Sequence, residues 1–409
     1  MFKTLSPIHI GSGDVYPDLL LYANKRYDLS QFLHSAFQNT DKKREILSSA
    51  FLKSFGNSYS RDNRNGILIP TAAQVATMVP SYSVLLDPRD QNKIGNTDVC
   101  EFVKTMGVPY IPGSTIKGYI IKVILYDLVA TDPLIKDMLK KELKICETKS
   151  DYSLKSFARF LSDRMFTSCR PLICRDVLFH HDVKIHFIGQ NFRRNGNLMT
   201  TVQTVEFLEG DSESDDDAIS IDERMINNWP KLAEDIERRE SEKFNQGPSK
   251  NATTDEKYKQ EKHKANMEDF LYFVGTFYKR IDSLKQNFAV MNERFMRGVI
   301  EAERHFIDST KKNRDKILVS KITDQLNQIE SRLQSGEIVM QIGRFTNYLA
   351  KSIGKAFDDE TDFYESKFNA FFSPRKGITG TGLIGTMGLI AEPGSGMLGQ
   401  IPGFISFRW

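Results

Sequence analysis

Cysteine is scarce in this 409-residue sequence: Cys100, Cys146, Cys169 and Cys174 are the only four, and none forms a C-x-x-C pair. That spacing excludes a disulfide framework and a cysteine-based zinc site, and fits reduced thiols in a cytoplasmic protein. Long apolar runs are missing as well. No stretch of about eighteen apolar residues occurs, so no membrane span is expected. The opening Met1-Phe2-Lys3-Thr4 lacks a signal-peptide pattern, because Pro7, His9 and paired glycines follow at once. Net charge is small, at +3, which does not by itself mark a nucleic-acid partner. There is no repeat of short period, and no G-x-x-x-x-G-K-[ST] phosphate loop.

What is present is local. Charge is segregated: Glu209 to Asp217 is acidic and serine-rich, whereas Lys257, Lys259, Lys262 and Lys264 form a basic run interleaved with Glu256 and Glu261. The default for such a run is a solvated helix face. A hydrophobic content of 40% allows sizeable cores in two or three domains. Phe2 to Leu5 reads as a strand, Gly11-Ser12-Gly13 as a turn, and Asp18 to Tyr22 as a returning strand. Helical patterns are expected over Leu29–Phe37, Asp41–Phe55, Ser114–Leu128, Pro133–Ile145 and Ser153–Met165, with a polar segment from Ser58 to Asn65. Strands are expected near Leu172, Val177–Phe179, Val183–Ile188 and Thr201–Leu208. Beyond a Gly/Pro/Asn linker at Asn245–Thr254, apolar residues from Phe270 to Phe306 recur at i, i+3, i+4. That period marks a buried helix face rather than a base-stacking platform, and Leu318 to Leu333 supplies a partner helix. The end, Gly377 to Gly403, is glycine-rich around short apolar strands.

Three stretches carry chemistry. Ile111-Pro112-Gly113-Ser114-Thr115-Ile116-Lys117-Gly118 joins a turn to a helix start. Free backbone N–H groups, a capping Ser114 and the charge of Lys117 would suit a phosphate there; a plain capped connection is the alternative. In Thr4 to Gly13, the glycines permit close backbone approach to a ligand, and His9 could serve as a general acid or base. Its alternation with Ile8 and Ile10 fits simple packing equally well. Gln341 to Ser352 combines Gly343, Arg344, Lys351 and aromatics, a composition able to hold single-stranded RNA. His180, His181 and His186 lack partners at metal-ligand spacing, so a surface or RNA-facing position is expected and no metal or cofactor is assigned.

In their order, these motifs resemble the repeat-associated mysterious protein (RAMP) superfamily of CRISPR systems. Leu5 to Gly13 resembles the family's opening strand and glycine turn, and Ile111 to Gly118 its "IPGSSIKG" helix start. Lys122 stands where an arginine is common, and Cys174-Arg175-Asp176 where an "SDS"-like strand end is usual. Thr204 to Gly210 resembles the strand that follows, and Met397-Leu398-Gly399-Gln400 part of a closing "PLGW"-like strand. The resemblance implies an α+β chain of two ferredoxin-like (RRM-like) RAMP domains, residues 1–165 and 166–409, with a long helical insertion at about 255–335. It further implies a non-catalytic, RNA-binding subunit of a type III-A (Csm) complex that caps the 3′ part of the crRNA and serves crRNA maturation and antiviral defence. Its partners would be crRNA, the backbone RAMP subunit, the small helical subunit and host nucleases that trim the 3′ end. The RNA contacts implied are His9, Gly11, Ser12, Gly13, Gly113, Ser114, Thr115, Lys117, Lys122, Gly343, Arg344 and Lys351. Backbone amides and isolated cations suit sequence-tolerant phosphate binding. Two other readings stand beside this one: a metal-independent endoribonuclease using His9, and a protein-only scaffold.

Overall fold

The computed structural model describes residues 1–17, 21–22, 25–27, 80–93, 98–148, 164–165, 167–194, 197–214, 217–245, 254–310, 314–346, 356, 386–392 and 398–409. The helices expected at 29–37 and 41–55, the polar segment at 58–65, nearly all of 153–165, most of the linker and of the glycine-rich tail, and Lys351 lie outside them. Among the described residues the chain is a mixed α/β fold. It opens with β1 (Phe2–Thr4), β2 (Gly11–Pro17), β3 (Leu21–Tyr22), β4 (Lys25–Arg26), β5 (Tyr82–Leu85), β6 (Asp98–Phe102), β7 (Lys104–Thr105) and β8 (Val108–Ile111). Helices α1 (Gly113–Thr131) and α2 (Pro133–Thr148) follow, then β9 (Leu172–Cys174), β10 (Val177–Leu178), β11 (Val183–Arg194), β12 (Asn197–Leu208), β13 (Glu213–Ser214) and β14 (Ile219–Ile221). A helical block comes next: α3 (Glu223–Asn245), α4 (Thr254–Asp282), α5 (Leu284–Thr310) and α6 (Lys316–Gln334). The chain closes with β15 (Ile338–Gln341), β16 (Thr386–Ala391), β17 (Leu398–Gln400) and β18 (Phe404–Phe407).

Two larger sheets result. The smaller runs β13-β1-β18-β15 and joins both chain ends: Phe2 pairs with Phe407, and Thr4 with Ile405. The larger is built on the β11–β12 hairpin, whose register runs from Val183 opposite Leu208 to Arg194 opposite Asn197. The strands β6 and β5 add in parallel to its two sides, with β2 beyond β6 and β16 also paired to β11. Each sheet therefore takes strands from both sides of residue 165.

The helices cover these sheets because their apolar spacing demands it. Ile116, Ile120, Val123, Ile124 and Leu128 of α1 are all fully buried, as the i, i+3, i+4 pattern requires. In the aromatic stripe, Phe273, Phe277, Phe288, Phe295 and Phe306 are buried too, so it is core. It is not one helix, however. The chain breaks at Ser283, whose hydroxyl donates to the carbonyl of Lys279 at 3.1 Å, the local bond by which serine competes with a helical ladder. Polar ties pin the layers. Tyr119 Oη donates to Asn292 Oδ1 at 2.8 Å, and Asn292 Nδ2 donates to the carbonyl of Val339 at 2.9 Å. Asp127, buried in α1, pairs with Arg280 and Arg294 of the neighbouring helices.

Candidate nucleic-acid interface

The segment Ser6–Ile10 crosses between the two large sheets and is held from every side. Ile8 and Leu208 exchange both backbone bonds, at 2.9 and 3.0 Å, and the N–H of Val103 donates to the carbonyl of Ile10 at 2.8 Å. From the C-terminal side, Arg344 N–H donates to the carbonyl of His9 at 3.0 Å and Gly403 N–H to that of Pro7 at 3.0 Å. That approach is possible only with glycine. Gly343 has φ +107°, and a Cβ there would lie 2.6 Å from the carbonyl oxygen of His9. Gly403, at φ +97°, sits under the same constraint against the carbonyl of Ile342, at 2.5 Å. The structure thus brings His9, Gly11, Gly343 and Arg344 together, and adds Gly403, which no local motif marks.

His9 itself is buried. Nδ1 donates to the backbone carbonyl of Glu206 at 2.8 Å, and the ring is walled by Phe345, Phe207 and Phe102 at centroid distances of 5.5, 5.8 and 6.1 Å. Burial lowers its pKa to about 4, and the charges of Arg344 and Lys104 push the same way, so the imidazole is neutral near pH 7. Gly11, Ser12 and Gly13 are exposed beside it. They do not turn the chain back, as the glycines suggested, but open β2: its register against β6 breaks between Gly11 and Val15, and Gly13 has φ +98°. The extra residues bulge from the ladder and leave their backbone accessible.

Beneath this surface lies a buried polar cluster that sequence reasoning missed. The Glu206 carboxylate accepts from Tyr16 Oη at 2.6 Å, Tyr82 Oη at 3.0 Å and the N–H of Phe102 at 2.9 Å, and it pairs with Lys104. Tyr82 Oη also reaches Glu101 at 2.7 Å, the Lys104 ammonium lies 3.9 Å from the Tyr82 ring centre, and Arg26 lies 4.4 Å from that of Tyr16. Burial raises the pKa of both tyrosines, and the Glu206 charge adds to it; burial lowers that of Lys104 against the pull of Glu206. The sequence offers only a lone glutamate in a strand as a signal. Its hydrogen bonds come from four other strands.

The helix-start motif belongs to a different contact set. Gly113 N–H donates to Asp176 Oδ1 at 2.7 Å, and a Cβ at Gly113 would lie 2.3 Å from the carbonyl oxygen of Cys174. The close backbone approach inferred from the sequence is therefore that of the protein's own Cys174–Arg175 turn, and the anion at the helix start is Asp176. Pro112, not Ser114, is the N-cap residue, and its carbonyl accepts from Thr115 and Ile116. Ser114 is exposed, and Thr115 and Lys117 are half-buried. The charge of Lys117 opposes the burial that lifts the Cys174 thiol to about 12. Lys122 faces inward, its ammonium 4.6 Å from the ring centre of Tyr119 and 5.2 Å from that of Phe295. His180 and His181 are exposed. His186 departs from the surface position expected for it: it is 7% exposed and paired with Glu209. Burial works against the charge of Glu209, yet that bond holds its pKa below the usual value.

Residues 1–160 match the family model of the RAMP superfamily. No curated protein matches the chain. Among solved structures, a chain of a Csm–crRNA–target RNA ternary complex of a type III-A CRISPR–Cas system is similar over 100% of this chain and 99% of its own, at 18% identity and TM-score 0.54. Csm5 of T. onnurineus is similar over 99% of each chain, at 16% identity and TM-score 0.53. The likeness is one of fold, end to end, and no described helix is long and apolar enough to cross a membrane.

Proposed function

We propose that this chain is a RAMP subunit of a type III-A CRISPR (Csm) ribonucleoprotein that binds and caps the 3′ part of the crRNA without cutting it. The observation that carries this reading is the full-length likeness in fold to a chain from a Csm–crRNA–target RNA complex, joined to a RAMP match over residues 1–160. On this reading the chain carries two ferredoxin-like units, and the neighbours are the backbone RAMP subunit and the small helical subunit. Host nucleases would trim the RNA end it leaves exposed.

The surface around β2 has the chemistry such a role needs. Gly11, Ser12 and Gly13 offer accessible backbone, and Arg344, whose backbone N–H donates to the His9 carbonyl, is exposed and carries a guanidinium beside Cys100. Such groups recognise phosphate and sugar without reading bases, as a guide of variable sequence requires. Ser114, Thr115 and Lys117 form a second contact patch. Gly113 and Gly343 serve by letting backbones meet. His9 supports the non-catalytic reading: it is sealed from solvent, neutral, and too weak a base at pKa about 4 to hold a proton taken from RNA.

The test is fluorescence anisotropy with labelled crRNA on the full chain and on the reconstituted complex, with Arg344→Ala and Lys117→Ala. Each loss of a phosphate contact weakens binding and lowers the salt dependence by about 0.7 in log–log slope. Cleavage of repeat RNA in the absence of metal, abolished by His9→Ala, would replace this reading with the endonuclease.

A further inference from the structure

The helical block carries an open groove of about 500 Å³, away from the residues assigned above to RNA. Its floor is one face of α5, where Arg294, Arg297, Gly298, Glu301 and Arg304 follow at helical spacing. Tyr126 of α1 and Glu330 of α6 wall it on either side. Glycine inside a helix is unfavourable relative to alanine. Here the missing side chain leaves the middle of the floor bare.

The groove offers more donors than its own acids take up. Three guanidiniums line it against two carboxylates. Asp127, the buried acid behind Arg294, is shared with Arg280, so one carboxylate serves two cations. Arg297 donates Nε and Nη2 to Glu293, and Arg304 donates Nη2 to Asn327 and Glu330. Each guanidinium carries five N–H donors, so several stay available on all three. The side chains of Arg294 and Arg297 are 44% and 50% exposed. Ion pairs so open to water contribute little stability, and a carboxylate from outside can join or replace them at small cost. The planar fork of arginine suits two-point capture of a carboxylate.

The order of charges along α5 separates two kinds of anionic partner. A nucleic acid brings a negative charge with every nucleotide and would set phosphates against Glu301 and Glu330. A polypeptide can alternate sign. Against Arg294, Arg297, Glu301 and Arg304, a helix presenting two acids, a base and a third acid at matching spacing is complementary throughout. Val290, one turn before Arg294, is 59% exposed and extends the face with an apolar contact. Arginine and tyrosine together are the side chains most enriched where protein interfaces concentrate their binding energy.

We propose that this groove docks an acidic helical segment of a partner protein, its carboxylates held by Arg294, Arg297 and Arg304 and its basic residue by Glu301. Nothing in this depends on RNA binding at β2.

The probe is a labelled, alanine-based helical peptide of about twenty residues carrying the complementary acid-acid-base-acid order. It is titrated by anisotropy against the full chain, beside a copy with every charge reversed and a single-stranded RNA of similar length. The acidic peptide is expected to bind about tenfold or more tightly than the reversed one. Arg297→Glu reverses one clamp at an exposed position, and Gly298→Trp fills the floor while leaving every charge in place. Both should weaken the acidic peptide by about tenfold, with RNA affinity and thermal midpoint near wild type. Equal affinity for the two peptides, or no binding of the acidic one, overturns the proposal. Acidic-peptide binding retained in both variants also overturns it, by placing the contact elsewhere. RNA that competes with the peptide and is weakened by the same two variants would make the groove a nucleic-acid site instead.

Discussion

Among single residues, those whose position the backbone dictates carry the largest consequences. A folded-state pKa of about 4 for His9, against an ordinary 6.5, means the fold holds the neutral ring. Its contribution is complete above about pH 6.5 and is lost as pH falls through 4, since the unfolded chain binds the extra proton in that window. The shift corresponds to about 3 kcal/mol. Urea melts of wild type between pH 7 and pH 4 should therefore fall more steeply than those of His9→Asn; parallel curves would contradict the buried neutral ring. Gly343 is a second such residue. Gly343→Ala combines a left-handed φ with a 2.6 Å approach to the His9 carbonyl, and should cost about 2 kcal/mol or more in a urea titration. An unchanged midpoint would show that the loop does not pack on His9.

At the scale of elements, the sequence was informative wherever a period or a cap decides the outcome. The α1 face and the Pro133 start of α2 follow from apolar spacing, and so does the burial of the aromatic stripe. What could not be read locally came from partners distant in the chain. The Gly113 turn has the composition of an anion site, yet its anion is Asp176, 63 residues on. Asp176→Ala should then destabilise the start of α1 by about 1 kcal/mol, readable as a lowered denaturant midpoint and faster amide exchange in its first turn. The glycines at 11 and 13 permit either a turn or a bulged strand, and only pairing with β6 selects the bulge. Glu206 gives no local hint of its role, because Tyr16, Tyr82, Phe102 and Lys104 meet it only after β2, β5, β6 and β7 align with β12. Glu206→Gln removes the carboxylate paired with Lys104 and leaves that buried ammonium only the weaker pull of Glu101, which should cost about 3 kcal/mol; adding Lys104→Met should recover part of that loss. A double variant no more stable than Glu206→Gln would argue against a coupled pair.

At the scale of the whole molecule, the first and last strands share one sheet, and the segment that follows β1 is held by Gly343, Arg344 and Gly403 from the far end of the sequence. The expected mixture of strands and helices is there, with helices packed over the sheets. How strands from the two halves interleave was not legible, because short strands such as Phe2–Thr4 carry too few residues to specify a partner. That interleaving has a structural consequence: the exposed glycines of β2 and Arg344 come together only when both ends of the chain are in place.

Guide RNA bound at this surface would declare itself in salt-dependent anisotropy of the full chain with crRNA. Binding should weaken linearly in log–log form as salt rises, and Arg344→Ala should reduce both the affinity and the slope, by about 0.7 for one lost single-strand phosphate contact. Wild-type affinity and slope retained in Arg344→Ala, with the variant correctly folded, would contradict the account.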